Sequence, residues 1–106
     1  MPKFMVQASY TVDGAKGLLK DGGSKRRATI EKMVAGLGGK VEVFYYAFGP
    51  TDVVTIVDLP DTASAAAVGI AIGASGAVKA TTTMLLTPEE IDDAVKKPIT
   101  YTRPGA

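Results

Sequence analysis

The chain has 106 residues, of which 46% are hydrophobic, enough for one modest core and too short for a second. Twelve Lys and Arg against 11 Asp and Glu leave a net charge of +1, which excludes the broad basic surface that neutralises a nucleic-acid backbone. There is no cysteine and no histidine, so disulfides, thiolate nucleophiles, sulfur-ligated zinc and iron–sulfur centres and imidazole acid–base chemistry are all absent.

The first ten residues, MPKFMVQASY, lack the basic, then apolar, then small-residue order of a secretory signal, and a cytoplasmic location is the expectation. From Lys3 to Val12, residues Phe4, Val6, Ala8, Tyr10 and Val12 alternate with Gln7, Ser9 and Thr11, the period of a strand. Asp13-Gly14 ends it. A short helix over Ala15 to Lys20 follows, interrupted at Asp21-Gly22-Gly23. Ser24 is placed to cap a second helix, whose inward stripe is Ala28, Ile30, Met33, Val34 and Leu37. Gly36, Gly38 and Gly39 terminate that helix. They end an element rather than begin one, and no Gly-Lys-Ser/Thr accompanies them, so they do not make a phosphate loop.

Phe44 to Leu59, FYYAFGPTDVVTIVDL, reads as a β-hairpin: two β-branched and aromatic runs joined by the turn Gly49-Pro50-Thr51-Asp52. In strict alternation Val41, Val43, Tyr45 and Ala47 share one face, with Glu42, Phe44, Tyr46 and Phe48 on the other, so both faces carry bulk. One layer of helices covers only one face of a sheet. A second copy of the chain is the simplest cover for the other, which predicts a homo-oligomer.

Asp61 is placed to cap a helix from Thr62 to about Ser75. The uncharged run Thr62 to Val78 approaches the length of a membrane span, but it is built of Ala, Gly and Ser and reads as a buried helix of a soluble protein. Gly69 and Gly73, one turn apart, predict close helix packing. Ser75-Gly76 breaks the helix, and Val78, Ala80, Thr82, Met84 and Leu86 alternate as a fourth strand. Thr87-Pro88-Glu89-Glu90 has the pattern of a capping box with proline in the first turn, and Ile91, Ala94 and Val95 are placed to dock the resulting helix on the core. The core domain is expected over about 3–86, with 87–106 a C-terminal helix and tail.

The order strand, broken helix, strand, strand, helix, strand predicts an α+β fold of the ferredoxin-like βαββαβ kind, with a four-stranded antiparallel sheet and both helices on one face. Several segments also resemble the GYD-domain family of small bacterial and archaeal proteins over roughly residues 3 to 95. They are Tyr10-Thr11, Ser24-Lys25-Arg26, Leu37-Gly38-Gly39-Lys40, and Phe44-Tyr45-Tyr46 followed by Gly49-Pro50-Thr51-Asp52-Val53-Val54. The family takes its name from a Gly-x-Tyr-Asp turn; Gly49 and Asp52 match, and Thr51 stands where the tyrosine is expected. The resemblance implies a plait related to dimeric α/β barrels, and no particular substrate or reaction.

For binding, Tyr10, Tyr45, Phe48 and Asp52 are the candidates for a small-molecule pocket, and Ser24, Lys25, Arg26 and Arg27 for an anion site at a helix start. Each set has a plain structural alternative, in aromatic packing, a turn carboxylate or a solvated charge run. No metal site and no cofactor are expected; Asp58 with Asp61, and Glu89, Glu90, Asp92 and Asp93, lack the loop geometry of a cation site. A homo-oligomeric binding or accessory protein is the first functional expectation. A cofactor-independent enzyme acting on a small apolar or aromatic molecule through Asp52 and Tyr45 or Tyr10, and a purely structural assembly unit, are the alternatives.

Overall fold

The computed structural model describes residues 1–106. Its elements are β1 (Lys3–Tyr10), α1 (Val12–Asp21), α2 (Gly23–Gly36), β2 (Lys40–Tyr46), β3 (Val53–Asp58), α3 (Thr62–Ala74), β4 (Val78–Leu85) and α4 (Pro88–Val95). The strands form one sheet in the order β2-β3-β1-β4, every neighbouring pair antiparallel.

Alternation along β1 and β3 decides which face is covered. Phe4, Val6 and Ala8 lie opposite Val57, Thr55 and Val53, and all six are buried. On that side Phe4 and Val57 join Val34 of α2, Leu59, and Ala65 and Val68 of α3 in one apolar cluster, in which Val34 and Leu59 are the most deeply enclosed. The opposite face carries Met5, Val54 and Ile56 and no helix covers it. Only 11 of 106 residues are buried, a sparse core that follows from this one-sided cover.

Strict alternation fails in β2. Val41 is opposite Val57 but Val43 is opposite Ile56, so Glu42 is an extra residue in a β-bulge. Beyond it Phe44 faces the helices with Thr55, while Tyr45 pairs with Val54 on the open face. Glu42 is held by the Lys3 ammonium, which donates to Glu42 Oε2 at 2.5 Å and to Asp58 Oδ1 at 2.8 Å, tying β1, β2 and β3 together. The two hydrogen bonds, the one to Asp58 first, raise the Lys3 pKa above its ordinary 10.5.

The break in the first crossover is Gly22, at φ 79°, a left-handed position that suits glycine. Its N–H donates to the Leu18 carbonyl at 2.8 Å and closes α1. Gly22, not Ser24, is the N-cap of α2; Ser24 lies inside the first turn and no side chain caps the helix. Asp61 does cap α3, accepting from the Ser64 N–H at 2.8 Å, a bond that lowers its pKa. The close packing expected at Gly69 and Gly73 is not found: a Cβ at either would meet open space.

At the C-terminus the capping box forms: the Glu90 N–H donates to Thr87 Oγ1 at 3.1 Å and the Thr87 N–H to Glu90 Oε1 at 3.0 Å. The helix does not dock as expected. Every residue from Leu86 to Ala106 is exposed, Ile91, Val95, Ile99 and Tyr101 among them. The radius of gyration is accordingly 17.0 Å, against about 13 Å for a globule of this length, and the longest axis is 56 Å.

Two glycines of α1 separate packing from propensity. A Cβ on Gly14 would sit 2.0 Å from the Ala77 carbonyl oxygen, whereas one on Gly17 meets nothing within 4 Å. Gly14→Ala is predicted to lower stability by about 1–3 kcal/mol. Gly17→Ala should raise it by up to about 1 kcal/mol. Urea unfolding of both variants checks the pair, and equal effects would contradict the packing of α1 on the turn before β4.

Candidate functional site

The loop between β2 and β3 is fastened by Asp52. Its N–H donates to the Ala8 carbonyl at 2.8 Å, its carbonyl accepts from the Ala47 N–H at 2.8 Å, and its carboxylate Oδ2 accepts from the Tyr10 N–H at 2.9 Å. Asp52 thus binds the hairpin turn to the end of β1, as turn carboxylates do. Tyr10, Tyr46, Phe48 and Asp52 line one open cleft there, against Ala15 and Leu18 of α1. Phe48 projects fully into water above it.

Tyr45 does not join them. It lies on the uncovered face, 70% exposed, and lines a separate shallow hollow with Ser24 and Arg27. The basic run also divides, because successive helix positions point about 100° apart. Lys25 faces Asp21 at 3.5 Å, and Arg27 faces Glu31 at 3.6 Å. Arg26 turns inward, half-buried, to the rim of a cavity between the sheet and the helices.

That cavity has a volume of about 70 Å³. Val6, Val53 and Phe44 floor it from the sheet, and Ile30, Val34 and Val68 roof it from α2 and α3. Tyr10 stands at its rim beside Arg26, and both also line a cleft toward α1 that adjoins the cavity. No three Asp or Glu side chains converge as a metal-binding group.

Tyr46 is not among the residues the sequence singles out, because strict alternation from Val41 puts it on the face opposite Val41 and Tyr45. The bulge turns it to the helix side, where its phenol donates to the Gly23 carbonyl at 2.9 Å. Its ring meets Phe44 edge-on, with centroids 5.4 Å apart. Burial is the main cause that raises its pKa above the ordinary 10.0; the neighbouring Tyr10 phenol adds to the shift, and Arg26 and Arg27 oppose it.

A model of the GYD domain matches residues 4–95. The chain belongs to the GYD-domain family. This GYD protein carries no cysteine and no histidine. It is similar to a protein of Thermus thermophilus named "Glutamine synthetase and cystathionine beta-lyase binding protein", with 30% identity over 82 residues, covering 77% of this chain and 85% of the relative. No solved structure matches it. No helix is long and apolar enough to cross a membrane.

The phenol of Tyr46 gives a pH test with a definite sign. With its folded pKa above the unfolded value, its contribution to stability is fully present below about pH 10 and is lost as pH rises through the folded value. The ultraviolet titration of wild type minus that of Tyr46→Phe should isolate one phenolate, forming above the ordinary 10.0. Loss of the bond to Gly23 should cost that variant about 0.5–1.5 kcal/mol at neutral pH.

Proposed function

We propose that this GYD protein is a cytoplasmic, self-associating accessory protein that acts by binding other proteins and a small ligand, rather than by turnover. The observation that carries the reading is the uncovered sheet face. Val43, Tyr45, Val54, Ile56 and Met5 form an apolar patch on it, bounded at one end by the Lys3, Glu42 and Asp58 ion cluster and toward β4 by Gln7, Thr81 and Thr83. A flat apolar sheet surface of this kind is stabilised by a second sheet packed about 10 Å away. In this reading the domain is a ferredoxin-like plait, and two copies associate face to face in the manner of a dimeric α/β barrel.

The name of the Thermus relative supports a role in binding enzymes, and glutamine synthetase and cystathionine beta-lyase are the first partners to try with this chain. Tyr10, Phe48 and Asp52 line a cleft against Ala15 and Leu18 of α1 that includes none of Met5, Val43, Val54 and Ile56, which supports their assignment to the ligand. In the same reading Tyr45 belongs to the interface, at the rim that also carries Ser24 and Arg27, and Lys25 serves α1–α2 packing through Asp21.

Sedimentation of wild type against Ile56→Glu tests the interface. Wild type is expected as a dimer and the variant as a folded monomer with unchanged circular dichroism, because Ile56 is outside the apolar cluster. A wild-type monomer at micromolar concentration would remove the sheet-to-sheet reading. Biolayer interferometry against glutamine synthetase and cystathionine beta-lyase from the source organism tests the partner class separately.

A further inference from the structure

We infer that the cavity between the sheet and helices α2 and α3 binds a small monoanion: an apolar body inside the protein and one carboxylate-like group on Arg26. This goes beyond the function proposed above: the cavity shares only Tyr10 with the cleft of Phe48 and Asp52 and is a separate ligand position.

The lining separates the two halves of such a ligand. Of fourteen residues around the cavity twelve are hydrophobic, counting Tyr10, and the two polar ones are Thr55 and Arg26. The Thr55 hydroxyl already donates to the Val43 carbonyl at 2.7 Å. The interior therefore offers water almost no hydrogen bonds, although 70 Å³ is room for several water-sized spheres. An apolar group of on the order of five to eight heavy atoms suits that space better than solvent.

Arg26 supplies the charge. Its neighbours in sequence face carboxylates, Lys25 facing Asp21 and Arg27 facing Glu31, while Arg26 has no ion pair. Its guanidinium presents a planar fork of donors that matches a carboxylate in two parallel bonds. The Tyr10 side chain lines the same cavity and brings a hydroxyl able to hydrogen-bond. The adjoining cleft, which shares Tyr10, Arg26, Ile30, Met33, Ile72 and Val78 with the cavity, opens the route from solvent. Asp13 and Asp21 also line that cleft, so a second negative charge on the ligand is disfavoured. Hence the ligand carries a single charge at one end.

The test is titration calorimetry of the full chain with hexanoate and with hexan-1-ol, which share a body and differ in the charge. Hexanoate is expected to bind roughly ten- to a hundredfold more tightly than the alcohol. Arg26→Gln should bring hexanoate to the level of the alcohol without changing the alcohol. Ile72→Trp, at the half-buried rim, should weaken both, and its folding is checked by circular dichroism. Methyl resonances of Val6, Val34 and Val68 should shift on binding. Equal affinities of acid and alcohol, an unchanged Arg26→Gln, shifts confined to Val54 and Ile56 on the open face, or no binding at millimolar ligand would each overturn the assignment. These readouts concern the chain alone, so their failure leaves the proposed protein partners untouched, and failure to capture an enzyme leaves the cavity untouched.

Discussion

Two helices resting on one side of a four-stranded sheet set the terms for this molecule. Alternation in β1 and β3 sends Phe4, Val6, Ala8, Val53, Thr55 and Val57 under α2 and α3. The same alternation must send Met5, Val54 and Ile56 the other way, because successive strand side chains point to opposite faces. A strand sequence apolar on both sides cannot satisfy water with one helical layer. The cover is incomplete even on the helical side: Met84 of β4 remains half exposed, and α3 presents Ile70 outward. Sparse burial and the cavity have a common origin in a helix layer that fits loosely over a broad sheet.

Much of this was legible in the residues. Period-two patterns located β1 and β4 closely, and the capping signals Asp61 and Thr87 with Glu90 made the bonds their spacing promised. These features depend on neighbours a few positions away, so sequence carries them directly. The β-bulge at Glu42 was not legible, because an extra residue in one strand is specified by its partner strand and by the Lys3 ammonium, residues distant in the chain. One unpaired residue was enough to exchange the faces of Phe44 and Tyr45. Ser24 failed as a cap for a related reason: the left-handed turn at Gly22 starts the helix earlier than a polar side chain would.

The candidate site shows the same division. Residue types pointed to Tyr10, Phe48 and Asp52 together, and the hairpin turn does gather them beside the end of β1. What composition could not give was direction. Within the basic run Lys25, Arg26 and Arg27 are alike on paper, yet helical rotation hands two of them to neighbouring carboxylates and the third to an apolar hollow. Tyr46 entered the site only through the bulge. Side-chain direction, set by register and helix phase, is the information that separates a list of suitable residues from a place where they meet.

The projecting segment after β4 divides the chain between two kinds of constraint. Up to Leu85 a substitution is judged by its neighbours, since every buried side chain lies in that part. Past it, α4 keeps its shape through bonds made within its own first turn and leans on nothing. Apart from Glu90, its carboxylates, and the Lys96, Lys97 and Arg103 charges that follow, are free to vary between relatives without disturbing the body. Divergence among such proteins should therefore gather at this end, where spelling can change while the rest of the word stays readable.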